Sequence, residues 1–112
     1  LVNPMTVRQK MRMFKILTDI GFREIEIGFP AASAPDFNAC RKLIERGLVG
    51  STVIPQVLCE ARPELIAKTF EAMRDCREFI FHLYNSTSQA QREVVFKSSP
   101  EKIIDLAVTA VK

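Results

Sequence analysis

Three short segments rich in β-branched and apolar residues recur at nearly equal intervals, and this regularity limits the fold more than any other feature. They begin at Arg23, Thr52 and Glu78, so each repeat is roughly 30 residues or slightly less, which is the length of a strand, a connection and a helix. Parallel neighbouring strands require a crossover of that size. The sequence therefore predicts an α/β fold with about three parallel strands and flanking helices.

Helical patterns fill the intervals between the predicted strands. Thr6 and Gln9 have the spacing of a capping box, Gly21 is a helix stop, and Ser33 is an N-cap candidate. The predicted elements are a helix after Thr6, a strand at 23–28, a helix at 35–46, a strand at 52–58, a helix at 63–75, a strand at 78–84, a short helix at 89–96 and a last helix from Pro100. Pro55 interrupts the second strand, where it should remove one ladder hydrogen bond.

The chain is too short to close such a sheet on itself. It has 112 residues, whereas a complete (β/α)8 barrel needs about 250. Three strands leave two unpaired edges, and the first residue is Leu1 rather than Met, so we expect an internal piece of a longer protein. The alternative is a doubly wound sheet, but neither a G-x-G-x-x-G nor a Walker sequence occurs.

The composition excludes several classes of function. The net charge is only +3, and the basic residues are scattered among acidic ones, which argues against a nucleic-acid surface. No apolar run approaches the roughly 18 residues that cross a bilayer. The three cysteines show no Cys-x-x-Cys spacing, which favours a reducing compartment over a disulfide framework or a zinc site.

Ligand sites in parallel α/β folds form at the carboxyl ends of the strands, which here are residues 26–30, 56–60 and 81–85. Glu26 is either a site carboxylate or half of a structural salt bridge. His82, the only histidine, is either a core residue or a group that hydrogen-bonds a substrate oxygen. Leu58 is either core or pocket wall, and Cys59 has no base near it in sequence to make it a nucleophile.

Five runs of the sequence together resemble the 2-isopropylmalate synthase family, in its long form found in fungi and many bacteria. The runs are Asn-Pro-Met-Thr at 3–6, Glu-Ile-Glu-Ile-Gly-Phe-Pro-Ala-Ala-Ser at 24–33, Gln-Val-Leu at 56–58, Ala-Arg-Pro-Glu-Leu-Ile at 61–66 and His-Leu-Tyr-Asn-Ser-Thr-Ser at 82–88. The Glu-Ile-Gly-Phe-Pro element marks only a wider superfamily of metal-dependent enzymes. The last run is the more specific one.

This resemblance implies a fold, a reaction and a set of site residues. The fold would be part of a (β/α)8 TIM barrel, with residues 1–112 forming an internal fragment of the catalytic domain from about the first helix through the fourth βα unit. The reaction would condense acetyl-CoA with 2-oxoisovalerate in leucine biosynthesis. Glu26 and His82 match catalytic positions of the family, and His82, Leu58 and Tyr84 match positions that line the keto-acid pocket.

The resemblance also implies cofactors and partners. A divalent metal (Mg, Mn or Zn) would polarise the keto acid, and its ligands would all lie outside this chain. Acetyl-CoA would be the co-substrate, the parent protein a homodimer without nucleic-acid or membrane partners, and the location cytoplasmic, or mitochondrial in a fungus. Two alternatives stay open: a non-catalytic truncated fragment, or part of a sister enzyme such as homocitrate or citramalate synthase.

Overall fold

The computed structural model describes residues 3–112, in which helices and strands alternate as the sequence predicts. The elements are α1 (Val7–Ile20), β1 (Glu24–Gly28), α2 (Ala34–Glu45), β2 (Ile54–Glu60), α3 (Pro63–Ala72), β3 (Ile80–Tyr84), a π-helical turn (Gln91–Phe96) and α4 (Pro100–Val111). The strands form one parallel sheet in the order β1-β2-β3. The predicted α/β class with three parallel strands is confirmed.

The helix starts follow from local capping. Thr6 accepts a hydrogen bond from the Gln9 amide at 3.3 Å, and the Gln9 side chain accepts one from the Thr6 amide at 2.8 Å, which is the predicted capping box. Ser33 caps α2 by accepting from the Asp36 amide at 3.3 Å. Gly21 ends α1 with φ of 108°, a backbone conformation that glycine adopts without a steric penalty.

Several predicted boundaries were wrong by two or three residues, among them the start of β2, which lies at Ile54 rather than at Thr52. α3 ends at Ala72 rather than at Asp75, because Asp75 has φ of 69° and a helix cannot continue through a left-handed residue. β2 continues beyond Leu58 to Glu60, since its last two residues pair with the end of β3. β3 begins only at Ile80. These limits depend on pairing between strands, which a local sequence pattern does not contain.

Pro55 fits into the central strand without breaking the ladder. The Ile54 amide donates to the Arg23 carbonyl at 2.7 Å on the β1 side. Because successive residues of a strand direct their amides to opposite neighbours, the nitrogen of Pro55 faces β3. Pairing with β3 begins only one residue later, where Gln56 is opposite Ile80. Pro55 therefore lacks its amide hydrogen at a position where β3 offers no paired residue. The predicted loss of a ladder hydrogen bond does not occur.

One face of the sheet is buried under helices. The inward-facing strand residues include Ile25, Val57 and Cys59, and they pack with α1, α2 and α3 around one core. The core residues are Phe14, Ile25, Ile27, Cys40, Leu43, Val49, Val53, Val57, Ala72 and Met73. The other face carries alternating residues that are exposed or half-buried. One face of the sheet therefore forms the hydrophobic core with the helices, and the other face remains accessible.

The last helix is attached to the end of β3. The Asn85 side chain, directly after β3, donates to the Ile103 carbonyl in α4 at 3.1 Å. Ile103 is buried, while Ile104 and Val108 on the other side of α4 are exposed. Within residues 3–112, none of the helices has both the length and the apolar character that a membrane crossing requires.

We predict that a polypeptide of these 112 residues alone unfolds gradually in urea rather than in one sharp transition. The reason is that one sheet face and the outer edges of β1 and β3 have too little apolar cover to make unfolding cooperative. Far- and near-ultraviolet circular dichroism should give transitions that do not coincide. Coincident, steep transitions at low protein concentration would contradict this expectation.

Candidate functional site

Three polar side chains, one from each strand, meet on the face of the sheet that no helix covers, here called the open face. They are Glu26, Gln56 and His82, and together they form the polar cluster. The Gln56 side-chain nitrogen Nε2 lies 2.7 Å from Glu26 Oε2, and His82 Nδ1 lies 3.2 Å from the same oxygen. Gln56 Nε2 and His82 Nδ1 are 3.3 Å apart. The structure therefore brings together the two predicted catalytic residues and adds a third side chain between them.

Strand register explains why these residues meet. Glu26 is paired with Gln56 across β1 and β2, and His82 is paired with Leu58, two residues further along β2. Paired residues of a parallel sheet direct their side chains to the same face, so all four share the open face. The His82 ring reaches back diagonally to Glu26, a distance that long side chains can span.

The contacts assign a tautomer to His82. Glu26 Oε2 accepts from the Gln56 amide, and it can accept from His82 only if Nδ1 carries the hydrogen. Both donors then converge on one carboxylate oxygen, which also accounts for their close approach to each other. With Nδ1 occupied, His82 presents Nε2 to a ligand, as an acceptor when the ring is neutral and as a donor when it is protonated.

The cluster is accessible to a ligand. The side chain of His82 is 49% exposed and that of Glu26 is 45% exposed. At that exposure the attraction between the two groups is screened by water and adds little to stability, about 1 kcal/mol or less. The pair is therefore neither a buried salt bridge nor a core histidine, and its predicted role in ligand binding is compatible with this exposure.

Leu58 and Tyr84, which the resemblance predicts to line the keto-acid pocket, lie next to the cluster in the sheet. Leu58 is opposite His82 in β3, and Tyr84 is two residues further on the same face; both are half-buried. The Tyr84 ring makes an edge-to-face contact with Phe29 at 6.3 Å between centroids. Burial, with a smaller contribution from the Glu60 carboxylate, raises the pKa of Tyr84. Its hydroxyl is therefore protonated near neutral pH and able to donate a hydrogen bond.

Gln56 is the residue of this cluster that sequence reasoning missed. It lay in a predicted strand end, yet no role was attached to it because an isolated glutamine carries no chemical signature. The two-residue period of a strand could have identified Gln56. It lies two residues before Leu58, so the two side chains must share one face of the strand. Its pairing with Glu26 depends on inter-strand register.

The described residues do not fit a divalent metal by themselves. Within residues 3–112, no group of three or more histidine, cysteine, aspartate or glutamate side chains is placed to hold a metal ion. The cluster offers one carboxylate and one imidazole, and these already bind each other through Oε2 and Nδ1. A magnesium-like ion needs about six oxygen ligands. We therefore derive no chemical step through a metal from this part of the chain.

Two of the three cysteines, Cys40 and Cys59, are buried and poorly suited to act as nucleophiles. The Cys59 thiol is buried and donates to the Glu60 carbonyl at 3.3 Å, and burial raises its pKa. Burial, with a smaller contribution from the Asp36 carboxylate, raises the pKa of Cys40 to about 12. Both side chains therefore stay in the thiol form near neutral pH, and the thiolate is the reactive form.

A concavity lies away from Gln56 and His82, between the sheet and its helices. It is a cleft of about 140 Å³ between α1 and the outer edge of β1, with apolar residues such as Phe14, Leu17 and Ile25 in its walls. Glu26 touches its rim, but His82 and Gln56 do not line it. Ala39 and Leu43 of α2 also line it, so it lies among α1, α2 and β1, within the helix–sheet layer.

Fold and site together define a class of protein. The sheet is parallel and has helices on one face. Its other face carries accessible polar and apolar residues towards the carboxyl ends of the strands. This arrangement is typical of parallel α/β proteins, which bind ligands at that end of the sheet. The chain belongs to the HMGL-like family, whose model matches residues 1–112.

The most informative relatives carry one common name. The chain is 51% identical over 108 residues to a 2-isopropylmalate synthase of Clostridium acetobutylicum, covering 96% of the chain and 19% of that relative. It is 52% identical over 112 residues to one of Agrobacterium fabrum, covering 100% of the chain and 20% of the relative. A third, from Clavibacter michiganensis, is 47% identical over 112 residues, or 100% of the chain and 19% of the relative.

These relatives confirm the resemblance that the sequence motifs indicate. The similarity extends over the whole chain, including all three strands and the cluster. The chain spans about a fifth of the length of the curated relatives it matches.

We predict that the buried cysteines resist alkylation. At neutral pH, iodoacetamide should modify Cys40 and Cys59 much more slowly than the half-buried Cys76, because the first two are inaccessible, whereas burial raises the pKa of all three thiols. Peptide mass spectrometry of the full-length protein gives the rate at each site. The same protein unfolded in urea should show similar rates for all three. Rapid labelling of native Cys59 would show that this thiol is exposed and reactive.

Proposed function

We propose that this chain is part of a 2-isopropylmalate synthase, an acyltransferase that condenses acetyl-CoA with 2-oxoisovalerate to give 2-isopropylmalate and CoA in leucine biosynthesis. The observation that supports this most directly is the identity of about half of all residues, from end to end, to proteins of that name. The accessible cluster of Glu26, Gln56 and His82 is the site that the proposal requires in this part of the molecule.

His82 has the central role among the described residues. Its Nε2 is directed to the ligand and hydrogen-bonds an oxygen of the 2-oxo acid. Glu26 accepts from Nδ1 and so holds the ring in one tautomer and one orientation. Gln56 donates to the same carboxylate oxygen and keeps it in place. A carboxylate that orients an imidazole also stabilises the positive charge that develops when the ring takes up a proton.

Leu58 and Tyr84 provide the walls around the bound keto acid. Leu58 lies beside His82 in the sheet and presents an apolar surface that suits a branched aliphatic side chain. Tyr84 lies further towards the carboxyl end and combines an apolar ring with a protonated hydroxyl. Together they favour a small branched 2-oxo acid over a charged one.

The whole protein requires further groups. We propose that it uses a divalent metal (Mg, Mn or Zn), with ligands outside residues 3–112, and acetyl-CoA as co-substrate. Such a metal would supply Lewis-acid polarisation of the keto-acid carbonyl. We also propose that the whole protein is a cytoplasmic homodimer with small-molecule partners rather than nucleic acid or membrane.

One further candidate has specific support. The chain covers about a fifth of its relatives, and residues 3–112 provide no metal-ligand group of three or more. A product limited to these 112 residues would accordingly be non-catalytic. It should release no CoA from acetyl-CoA and 2-oxoisovalerate with magnesium or manganese, and turnover above the uncatalysed rate would contradict that view.

The experiment that tests the function is a steady-state assay of the full-length protein. CoA release from acetyl-CoA should depend on 2-oxoisovalerate and on a divalent metal. Parallel reactions with pyruvate and 2-oxoglutarate distinguish citramalate and homocitrate synthases from the proposed enzyme. A higher kcat/KM for either of those substrates would replace the proposed substrate, and absence of CoA release with all three would remove the proposed function.

We predict that His82→Ala in the full-length enzyme costs about 2–4 kcal/mol in kcat/KM, as the loss of a hydrogen bond to a reacting oxygen typically does. Thermal unfolding should change little, because His82 does not belong to the hydrophobic core. The matched control is Asp19→Asn, which removes an exposed ion pair to Lys15 on α1. Unchanged kcat/KM in the His82 variant would return this residue to a purely structural role.

A further inference from the structure

A second polar group lies behind the carboxyl end of β1, on the helix side of the sheet. Asp36, in the first turn of α2, accepts a hydrogen bond from the Phe29 amide through Oδ2 at 2.9 Å. Its other oxygen, Oδ1, lies 2.8 Å from Lys10 Nζ on α1. One carboxylate thus connects two helices to the residue that follows the first strand.

The backbone at this point is shaped around the Asp36 carboxylate. Gly28 has φ of +138°, and a Cβ placed on it would lie 3.0 Å from Asp36 Oδ2. The pairing of β1 with β2 shifts by one residue between Glu26 and Gly28, which is a bulge. Bulges redirect the residues that follow them. The strand therefore leaves the sheet in a direction that requires glycine and that the carboxylate stabilises.

This geometry continues into the proposed pocket. The residue whose amide Asp36 accepts is Phe29, and its ring contacts Tyr84 edge-to-face at 6.3 Å. Tyr84 follows His82 by two residues on the same strand face. A continuous set of contacts thus leads from Lys10 through Asp36 and Phe29 to a pocket wall.

Partial burial makes the Lys10–Asp36 pair different from an ordinary surface pair. Its side chains are 20% and 18% exposed, whereas the Lys15–Asp19 pair on α1 is 74% and 62% exposed at a similar distance. Charge-assisted hydrogen bonds gain strength as water is excluded. The Lys10–Asp36 pair can therefore hold the backbone at Phe29 in place, and the exposed Lys15–Asp19 pair serves as its matched control.

We propose that Asp36, held by Lys10, is a positioning residue that places the Phe29 ring against Tyr84 and thereby sets the width of the keto-acid pocket. The inference rests on the proposed function, since it assigns a task within that site. It concerns residues that do not touch the reacting atoms. A pocket wall contacts the substrate side chain equally in the ground state and in the transition state, so its displacement weakens binding without changing the chemical step.

The test uses the full-length enzyme and three kinetic variants. Asp36→Ala removes both contacts, and it should raise KM for 2-oxoisovalerate by about tenfold or more while kcat changes much less. Asp36→Asn keeps an oxygen for the Phe29 amide, and it should restore part of that loss. Asp19→Asn should match the unaltered enzyme. Equal rises in KM for Asp36→Ala and Asp19→Asn, or a fall in kcat alone, would overturn the proposal.

A double-mutant cycle separates positioning from general destabilisation. If Asp36 acts through Phe29, Asp36→Ala and Phe29→Leu should each raise KM, and the double variant should be no worse than the more affected single variant. Additive effects on KM would show that the two residues act independently and would overturn the proposal. A loss of thermal stability in Asp36→Ala with KM unchanged would do the same. If Asp36→Ala does not fold, the cycle is carried out with Asp36→Asn.

A structural measurement keeps the inference distinct from the proposed function. Crystal structures of the full-length Asp36→Ala and Asp36→Asn variants provide this measurement. The Phe29 ring should lose its edge-to-face contact with Tyr84 in the alanine variant. An unmoved ring in both variants would overturn the inference, even if the enzyme is active. Absence of turnover in the unaltered protein would instead remove the proposed function, and the ring position would still decide the role of Asp36.

Discussion

Burial of one face of a three-stranded parallel sheet under α1, α2 and α3 is the constraint on which the rest of the structure depends. It fixes which strand residues point inward, and because the side-chain period of a strand is two, it also fixes which point outward. A slip of β3 by one residue would move His82 into the apolar layer and Phe81 onto the open face. The hydrophobic core therefore places the polar cluster, although no residue of the cluster belongs to the core.

Much of this arrangement could be predicted from the sequence. The capping box at Thr6, the stop at Gly21 and the cap at Ser33 are local signals and were confirmed. The selection of Glu26 and His82 followed from their positions near strand ends, and the structure brings them to 3.2 Å. Their roles stay predictions, since proximity alone does not establish chemistry.

Other features depend on contacts between distant residues and could not be read locally. The role of Gln56 requires its pairing with Glu26 across two strands. The contact of Asp36 with the Phe29 amide requires the bulge at Gly28 and the approach of α2 to the end of β1. Pro55 is the opposite case, because a local rule predicted a disturbance that the stagger of β3 removes. The register between strands thus explains why local sequence patterns miss the contact of Gln56 and why they overstate the effect of Pro55.

The exposure of the cluster limits the strength of the contacts within it. Glu26 and His82 are each nearly half-exposed, and at that exposure water weakens the bond between them. Covering the open face would lower the local dielectric constant and strengthen both the Glu26–His82 contact and any hydrogen bond from His82 to a ligand. If additional strands continued from the two free edges and closed the sheet on itself, they would enclose that face and would bury the apolar parts of Leu58 and Tyr84 as well. The same closure that stabilises the sheet would therefore also make its polar face chemically effective.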